Sequence, residues 1–221
     1  MTDRAAEHGA PHGLSKRLDA WLEIGTAIIL SVTALVTSWS AYQASLWDGE
    51  QAAHYTTANA QHMAASRLST RAGQLQALDA MSFAQWVDAF ASGNPKLQAF
   101  YEARFRPEFR VAFQTWLARH PLNSPGAPTS PFDESRYSIA TQAQAEATEQ
   151  AAAREFDEGE KANTVSDHYV QGSVMLASAL FFGGMCQVFR TPKVRMALLA
   201  VAAIACLMGV VKILSLPALR L

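Results

Sequence analysis

Three long apolar blocks are the feature of this sequence that most constrains its fold. A helix that crosses a membrane needs about 20 mostly apolar residues. The blocks predict transmembrane helices at residues 21–42, 169–189 and 196–216, in which the only charged residues are Glu23 and Lys212. Both charges lie near the ends of their blocks, where a side chain reaches the lipid headgroups. We therefore expect an all-α membrane protein with three transmembrane helices.

The first block has an alternative interpretation as a cleaved signal peptide. Lys16 and Arg17 precede it, and small residues occur at Ser38 and Ser40. A signal peptide, however, usually has an apolar core of only about 7–15 residues. The leader before this block also contains acidic residues and histidines. A retained signal anchor explains the sequence better.

The distribution of Lys and Arg predicts the orientation, because cytoplasmic flanks are enriched in these residues. Lys16 and Arg17 precede the first block, and the next basic residue is Arg67. The short connection at residues 190–195 contains three basic residues and Pro192. We expect residues 1–20 and 190–195 in the cytoplasm, and residues 43–168 and 217–221 outside it.

Charge and cysteine content exclude two classes of outer domain. Between Asp48 and Asp167 the chain has 10 Lys or Arg and 15 Asp or Glu, a net charge of 10 − 15 = −5. An acidic surface repels phosphate backbones, so nucleic acid is not an expected partner. Cys186 and Cys206 both lie in apolar blocks. A disulfide framework is therefore not expected outside the membrane.

The outer segment is predicted to consist of two helical stalks, at residues 43–81 and 131–168, and a cap at residues 82–130. The stalks contain few Gly or Pro and are rich in Ala and Gln. Forty helical residues would extend about 60 Å. Their apolar stripes are thin, which favours packing against the other stalk or against another copy of the protein.

Aromatic residues at helical spacing predict two or three short helices in the cap. Phe83, Trp86 and Phe90 lie on one face of a first helix that ends at Ser92-Gly93. Asn94 and Pro95 have the sequence of an N-cap followed by proline at the first helical position. The cap is expected to close over an aromatic core. A further helix follows Pro107, with apolar residues at Phe109, Phe113, Trp116 and Leu117.

The sequence contains no common catalytic or cofactor motif. His54 and His62 share a broad helix face, and His168 and Asp167 could meet them on the returning stalk. No tight spacing brings these ligand types together, as a metal site would require. We interpret them as ordinary polar helix positions and predict a protein that is not an enzyme and has no cofactor.

Two groups of residues are candidates for an interaction patch. Arg104, Arg106 and Arg110 lie in a run that also contains Glu102, with basic residues at i+4 steps beside two phenylalanines. The run could hold an anionic ligand, but a salt-bridged surface over buried phenylalanines explains it better. The second group surrounds the outer end of the first span, where an aromatic belt is the ordinary interpretation. This group comprises Trp39, Tyr42, Trp47 and Asp48.

Several segments resemble a group of bacterial inner-membrane proteins that have three spans and no established activity. The resemblance covers residues 39–55, residues 100–117, the sequence SPF at 130–132 and the paired C-terminal spans. It implies a bacterial origin and the same three-span topology. The layout also resembles chemoreceptor sensor domains. Only short segments are expected in the cytoplasm, however, so the chain is not expected to contain a signalling module.

Two functional hypotheses follow from these patterns. The first is a non-enzymatic membrane protein that acts through its outer helical domain as a scaffold, accessory subunit or sensor. Its partners would be the lipid bilayer and either another membrane protein or a second copy of the chain. The alternative is a homo-oligomeric channel, in which the polar residues of the first span would face a pore. These residues are Ser31, Thr33, Thr37, Ser38 and Ser40.

Overall fold

The computed structural model describes residues 12–121, 126, 128–135 and 137–219, with side chains from residue 20 onward. The described chain is helical and contains no β-strand. Residues 1–11 of the predicted cytoplasmic leader lie outside this description, as do the side chains of Lys16 and Arg17 and parts of the loop at 122–127. The helices are α1 (His12–Ala91), α2 (Pro95–Glu102), α3 (Pro107–Leu117), a 3₁₀ helix (Pro131–Asp133), α4 (Ala140–Val188) and α5 (Pro192–Leu214).

Three of the described helices, α1, α4 and α5, are long and apolar enough to cross a membrane. This confirms the prediction of an all-α chain with three candidate transmembrane helices. Large apolar side chains on these helices are exposed, among them Leu35 at 73% and Leu214 at 77%. Such a surface suits contact with lipid.

Several helix boundaries differ from the expected ones, including the start of α1 at His12 rather than at residue 21. Residues 83–90 are not a separate short helix, because α1 continues without a break to Ala91. Pro131 begins a 3₁₀ turn, and α4 begins only at Ala140. α5 starts at Pro192 rather than Met196, since proline lacks the N–H that the first helical turn leaves unpaired. It ends at Leu214, two residues before the expected end of the span.

The chain divides into two compact units. The membrane unit contains the described residues up to His54 and those from Asp157 onward. The aromatic unit contains Tyr55–Phe156, which lies within the segment predicted to be outside the cytoplasm.

Small and polar residues fill the interior of the membrane unit. Thr26, Thr33 and Ser40 recur every seven residues on α1 and are at most 2% exposed. A Cβ added to Gly209 of α5 would lie 2.7 Å from Leu176 Cδ2 of α4. Close helix approach through small residues is the usual packing in membranes. At Gly209 this packing occurs within one chain, a choice that the sequence left open.

Alanines at intervals of seven residues line the buried face of the helices in the aromatic unit. On α1 they are Ala58, Ala65 and Ala72, and on α4 they are Ala145 and Ala152, each at most 6% exposed. The side chains beside them also pair the two helices, since Tyr55 stacks on Phe156 and His62 contacts Glu149. The seven-residue interval is the repeat of a coiled coil.

Candidate functional site

A buried carboxylate organises the polar part of the aromatic unit. Asp79 lies on α1 and is only 2% exposed. Arg106 donates a hydrogen bond from Nε to Oδ1 at 3.0 Å and another from Nη2 to Oδ2 at 2.8 Å. The Tyr137 hydroxyl donates to Oδ2 at 3.1 Å. One carboxylate therefore links α1 to the start of α3 and to the segment before α4.

The titration behaviour of these groups fits a fixed structural cluster. Burial, followed by the charge of Asp79 and its hydrogen bond, raises the pKa of Tyr137 to about 12. The hydrogen bonds from Arg106 to Asp79 raise the pKa of the guanidinium above its usual value. Around neutral pH, Tyr137 is thus a neutral donor and Arg106 a cation. Both donors therefore keep the same protonation state across the physiological pH range.

The predicted row of Arg and Glu at i+4 steps does not form on one helix. α2 ends at Glu102, and Pro107 begins α3, so Arg106 adopts an extended conformation with φ −55° and ψ 145°. A residue before proline is disfavoured in the α-helical region, which explains the break. The run therefore spans the end of α2, a turn at residues 103–106 and the start of α3.

The arginines of the predicted patch make internal contacts. Arg110 donates from Nη2 to the carbonyl oxygens of Ala103 and Phe105, at 3.0 and 3.1 Å. The Arg104 guanidinium carbon lies 3.5 Å from the ring centroid of Phe100. Together with the Arg106 pair, these contacts agree with the interpretation as a charged surface over buried phenylalanines. They leave the guanidinium groups less available to an anionic ligand.

An aromatic cluster packs beside the buried carboxylate. Phe109 is completely buried, and its ring centroid lies 5.0 Å from Phe105 and 5.2 Å from Phe132. Edge-to-face and offset contacts of this kind stabilise a core beyond the area that they bury. The cluster holds α3, the 3₁₀ turn and the end of α1 in one core. Its members are Phe83, Trp86, Tyr101, Phe105, Phe109, Phe113, Trp116, Phe132 and Tyr137.

α2 is held beside α1 by polar contacts and by the Tyr101 ring, while Leu97 and Phe100 remain exposed. Trp86 Nε1 donates to Glu102 at 2.8 Å, and the Tyr101 hydroxyl donates to Gln85 at 3.3 Å. No residue of α2 is buried. We call the exposed apolar residues at this end of the aromatic unit the α2 surface: Val87 at 40%, Phe90 at 44%, Leu97 at 37% and Phe100 at 46% exposed.

In the predicted patch at the end of the first span, some residues are exposed and one forms a hydrogen bond within the chain. The rings of Trp39 and Tyr42 lie 5.9 Å apart and are both more than 40% exposed. Asp48 is also exposed. Trp47 instead donates from Nε1 to the Pro217 carbonyl at 3.1 Å. The exposed rings retain the features of a membrane-interface belt.

A strap formed by residues 215–219 lies against α1 and α4 at this level of the membrane unit. Gln43 is completely buried, accepts a hydrogen bond from the Leu219 N–H at 2.9 Å and donates to its carbonyl at 3.0 Å. The Tyr169 hydroxyl donates to Pro217 at 3.2 Å. These bonds fix the strap to both helices.

The residues considered as metal ligands do not form a cluster with the composition of a metal site. His62 lies 2.9 Å from Glu149, and both side chains are more than half exposed. Asp167 and His168 are exposed. Among the residues that the structure describes, no group of three His, Cys, Asp or Glu side chains could hold a metal ion.

No known protein family, curated protein or solved structure matches this chain. The proposals below therefore depend on its own contacts.

The sequence interpretation missed Asp79, Tyr137 and Gln43 as organising residues. The sequence does contain an indication that Asp79 is buried. It lies seven residues after Ala72 and seven before Trp86, on the same face of α1. A carboxylate on an otherwise apolar stripe must find a partner when it is buried. Its partners Arg106 and Tyr137 lie 27 and 58 residues further along the chain, and no repeating sequence pattern links them to Asp79.

Proposed function

We propose that this protein is a membrane-anchored, non-enzymatic interaction protein that acts as a scaffold, accessory subunit or sensor through its aromatic unit. The observation that carries the proposal is the exposed α2 surface on a unit that has its own buried aromatic core. An eight-residue helix that buries none of its residues adds little to the hydrophobic core. Large apolar side chains that are exposed close together in the sequence, as the four of the α2 surface are, are typical of a protein-binding site.

The proposal includes the finer topology expected from the sequence. Residues 43–168 would lie outside the cytoplasm, with residues 82–130 as a cap and residues 43–81 and 131–168 as the two stalks that lead to it. The basic residues of the α4–α5 connection support this orientation. A bacterial inner membrane, and membership of the three-span group that the sequence resembles, belong to the same proposal.

Two of the five polar residues of the first span, Thr33 and Ser40, favour this function over a channel. Thr33 is completely buried and donates to the Ile29 carbonyl at 2.6 Å, and its hydroxyl lies 3.2 Å from Cys206 Sγ. Ser40 is also buried and donates to the Tyr169 carbonyl at 2.8 Å. These hydroxyls serve packing within one chain. A pore assembled from several copies would need such groups to face its lumen.

Photo-crosslinking tests the α2 surface directly. A photoreactive phenylalanine analogue at Phe100 is expected to give a crosslinked product of defined mass in native membranes. The same analogue at Val111, which is exposed at 48% on α3, serves as the matched control. A product at twice the mass of the chain would identify a second copy as partner, and a different mass would identify another protein. Equal or absent crosslinking at the two positions would contradict the proposal.

A further inference from the structure

A polar cavity lies at the end of the membrane unit where α4 passes into α5. Its volume is about 310 Å³, and it is lined by Glu23, Thr26, Gln187 and Arg195. Glu23 belongs to α1, Gln187 lies next to the last residue of α4, and Arg195 lies in the first turn of α5. The volume is at the lower end of the range for small-molecule sites.

The wall of this cavity is fixed by contacts within the bundle. The Thr26 hydroxyl is buried, donates to the Leu22 carbonyl at 2.7 Å and lies 3.7 Å from Cys186 Sγ. Cys186 in turn donates to the Arg195 carbonyl at 3.4 Å. The backbone that carries Arg195 is thereby tied to α4. Two of the four lining residues, Thr26 and Arg195, are therefore held by contacts between helices.

The chemistry of the lining is that of a zwitterion-binding site. A carboxylate accepts hydrogen bonds from a primary ammonium, and a guanidinium matches the oxygens of a phosphate. The end of a transmembrane bundle is the level at which lipid headgroups lie, and basic pockets between transmembrane helices bind headgroups. The carboxylate distinguishes this cavity from one suited to anionic lipids alone.

We propose that this cavity binds a phosphodiester that carries a primary ammonium group, as the headgroup of phosphatidylethanolamine does. Arg195 contacts the phosphate and Glu23 accepts hydrogen bonds from the ammonium. Phosphatidylcholine fits less well because its quaternary ammonium has no N–H to donate. Phosphatidylglycerol fits less well because it offers no cation to Glu23.

The test measures which lipids the full chain retains. The purified protein in nanodiscs with equal parts of phosphatidylethanolamine, phosphatidylcholine and phosphatidylglycerol is gently delipidated and analysed by native mass spectrometry. Phosphatidylethanolamine should be retained preferentially. Glu23→Gln should reduce that preference about tenfold, since one hydrogen bond to a charged group has that effect. Arg195→Gln should weaken retention of the phospholipid itself.

Lys193→Gln is the matched control, because Lys193 is an exposed basic residue of the same connection that does not line the cavity. It should leave retention unchanged. Equal retention of the three lipids, an unchanged preference in Glu23→Gln, or an equal loss in Lys193→Gln would each overturn the proposal. Retained helicity by circular dichroism separates these results from misfolding. Displacement by soluble glycerophosphoethanolamine, which keeps the phosphodiester, would support headgroup recognition by a free ligand, and its failure to displace would support the lipid as source.

Discussion

At the scale of single residues, the buried carboxylate of Asp79 connects the elements of the aromatic unit. Asp79 receives three hydrogen bonds from Arg106 and Tyr137, and its side chain is almost inaccessible to water. A buried charge without its partner is strongly destabilising. The cluster is therefore a stability element and a determinant of how α3 meets α1.

Replacing Asp79 should test this role. Asp79→Asn removes the charge that compensates Arg106 and is expected to lower the free energy of unfolding of the aromatic unit by about 3 kcal/mol. It should also lower the pKa of Tyr137 from about 12, because burial is the largest cause of the shift but the Asp79 charge and hydrogen bond are the next two. Denaturant titration in detergent, monitored by tryptophan fluorescence, gives the stability, and ultraviolet absorbance gives the tyrosine titration.

Glu108→Gln is the control for that measurement. Glu108 pairs with the same arginine at 3.1 Å, but its side chain is 46% exposed. Exposed pairs contribute at most about 1 kcal/mol. A loss in Glu108→Gln as large as that in Asp79→Asn would show that the buried geometry is not the cause.

At the scale of elements, the transmembrane helices pack through glycines that have no space for a side chain. A Cβ on Gly209 would lie 2.7 Å from Leu176 Cδ2 and 2.8 Å from its Cγ. A Cβ on Gly184 would meet no atom within 4 Å. The two glycines therefore offer a matched pair of positions within the same bundle.

We expect Gly209→Ala to destabilise the bundle by about 1–3 kcal/mol through overpacking. Gly184→Ala should change stability by less than about 1 kcal/mol, since only helix propensity is affected. Unfolding in mixed detergent micelles, monitored by circular dichroism, measures both variants. Similar midpoints for the two would contradict close packing of α4 and α5 at Gly209.

Sequence reasoning succeeded for elements whose signal is local. Three apolar blocks of sufficient length predict three transmembrane helices, and the N-cap at Asn94 is confirmed by the 3.1 Å hydrogen bond from the Leu97 N–H. Sequence reasoning was wrong where tertiary contacts determine the ends of helices. The bend at Arg106 and the late start of α4 at Ala140 both allow distant side chains to reach Asp79 and the aromatic cluster, which short windows of sequence do not reveal.

At the scale of the whole molecule, the distribution of basic residues predicts which parts of the chain face the cytoplasm. Single cysteines at Ser92 and Thr191 test this with a membrane-impermeant maleimide. We expect Ser92→Cys to be labelled in intact cells and Thr191→Cys only after permeabilisation, because the α4–α5 connection carries Arg190 and Lys193. The parent chain is the control, since Cys186 and Cys206 are both buried. The reverse labelling pattern would invert the proposed orientation.

The strap at residues 215–219 has a consequence for how the protein responds to its lipid environment. A single transmembrane helix can adapt to a thicker or thinner bilayer by tilting independently. Here the residues that follow α5 are hydrogen-bonded to Gln43, Trp47 and Tyr169 on the other two helices. Tilt or vertical displacement of α5 alone would break these bonds. These bonds therefore favour a response to bilayer thickness in which the three helices move together or the surrounding lipid deforms.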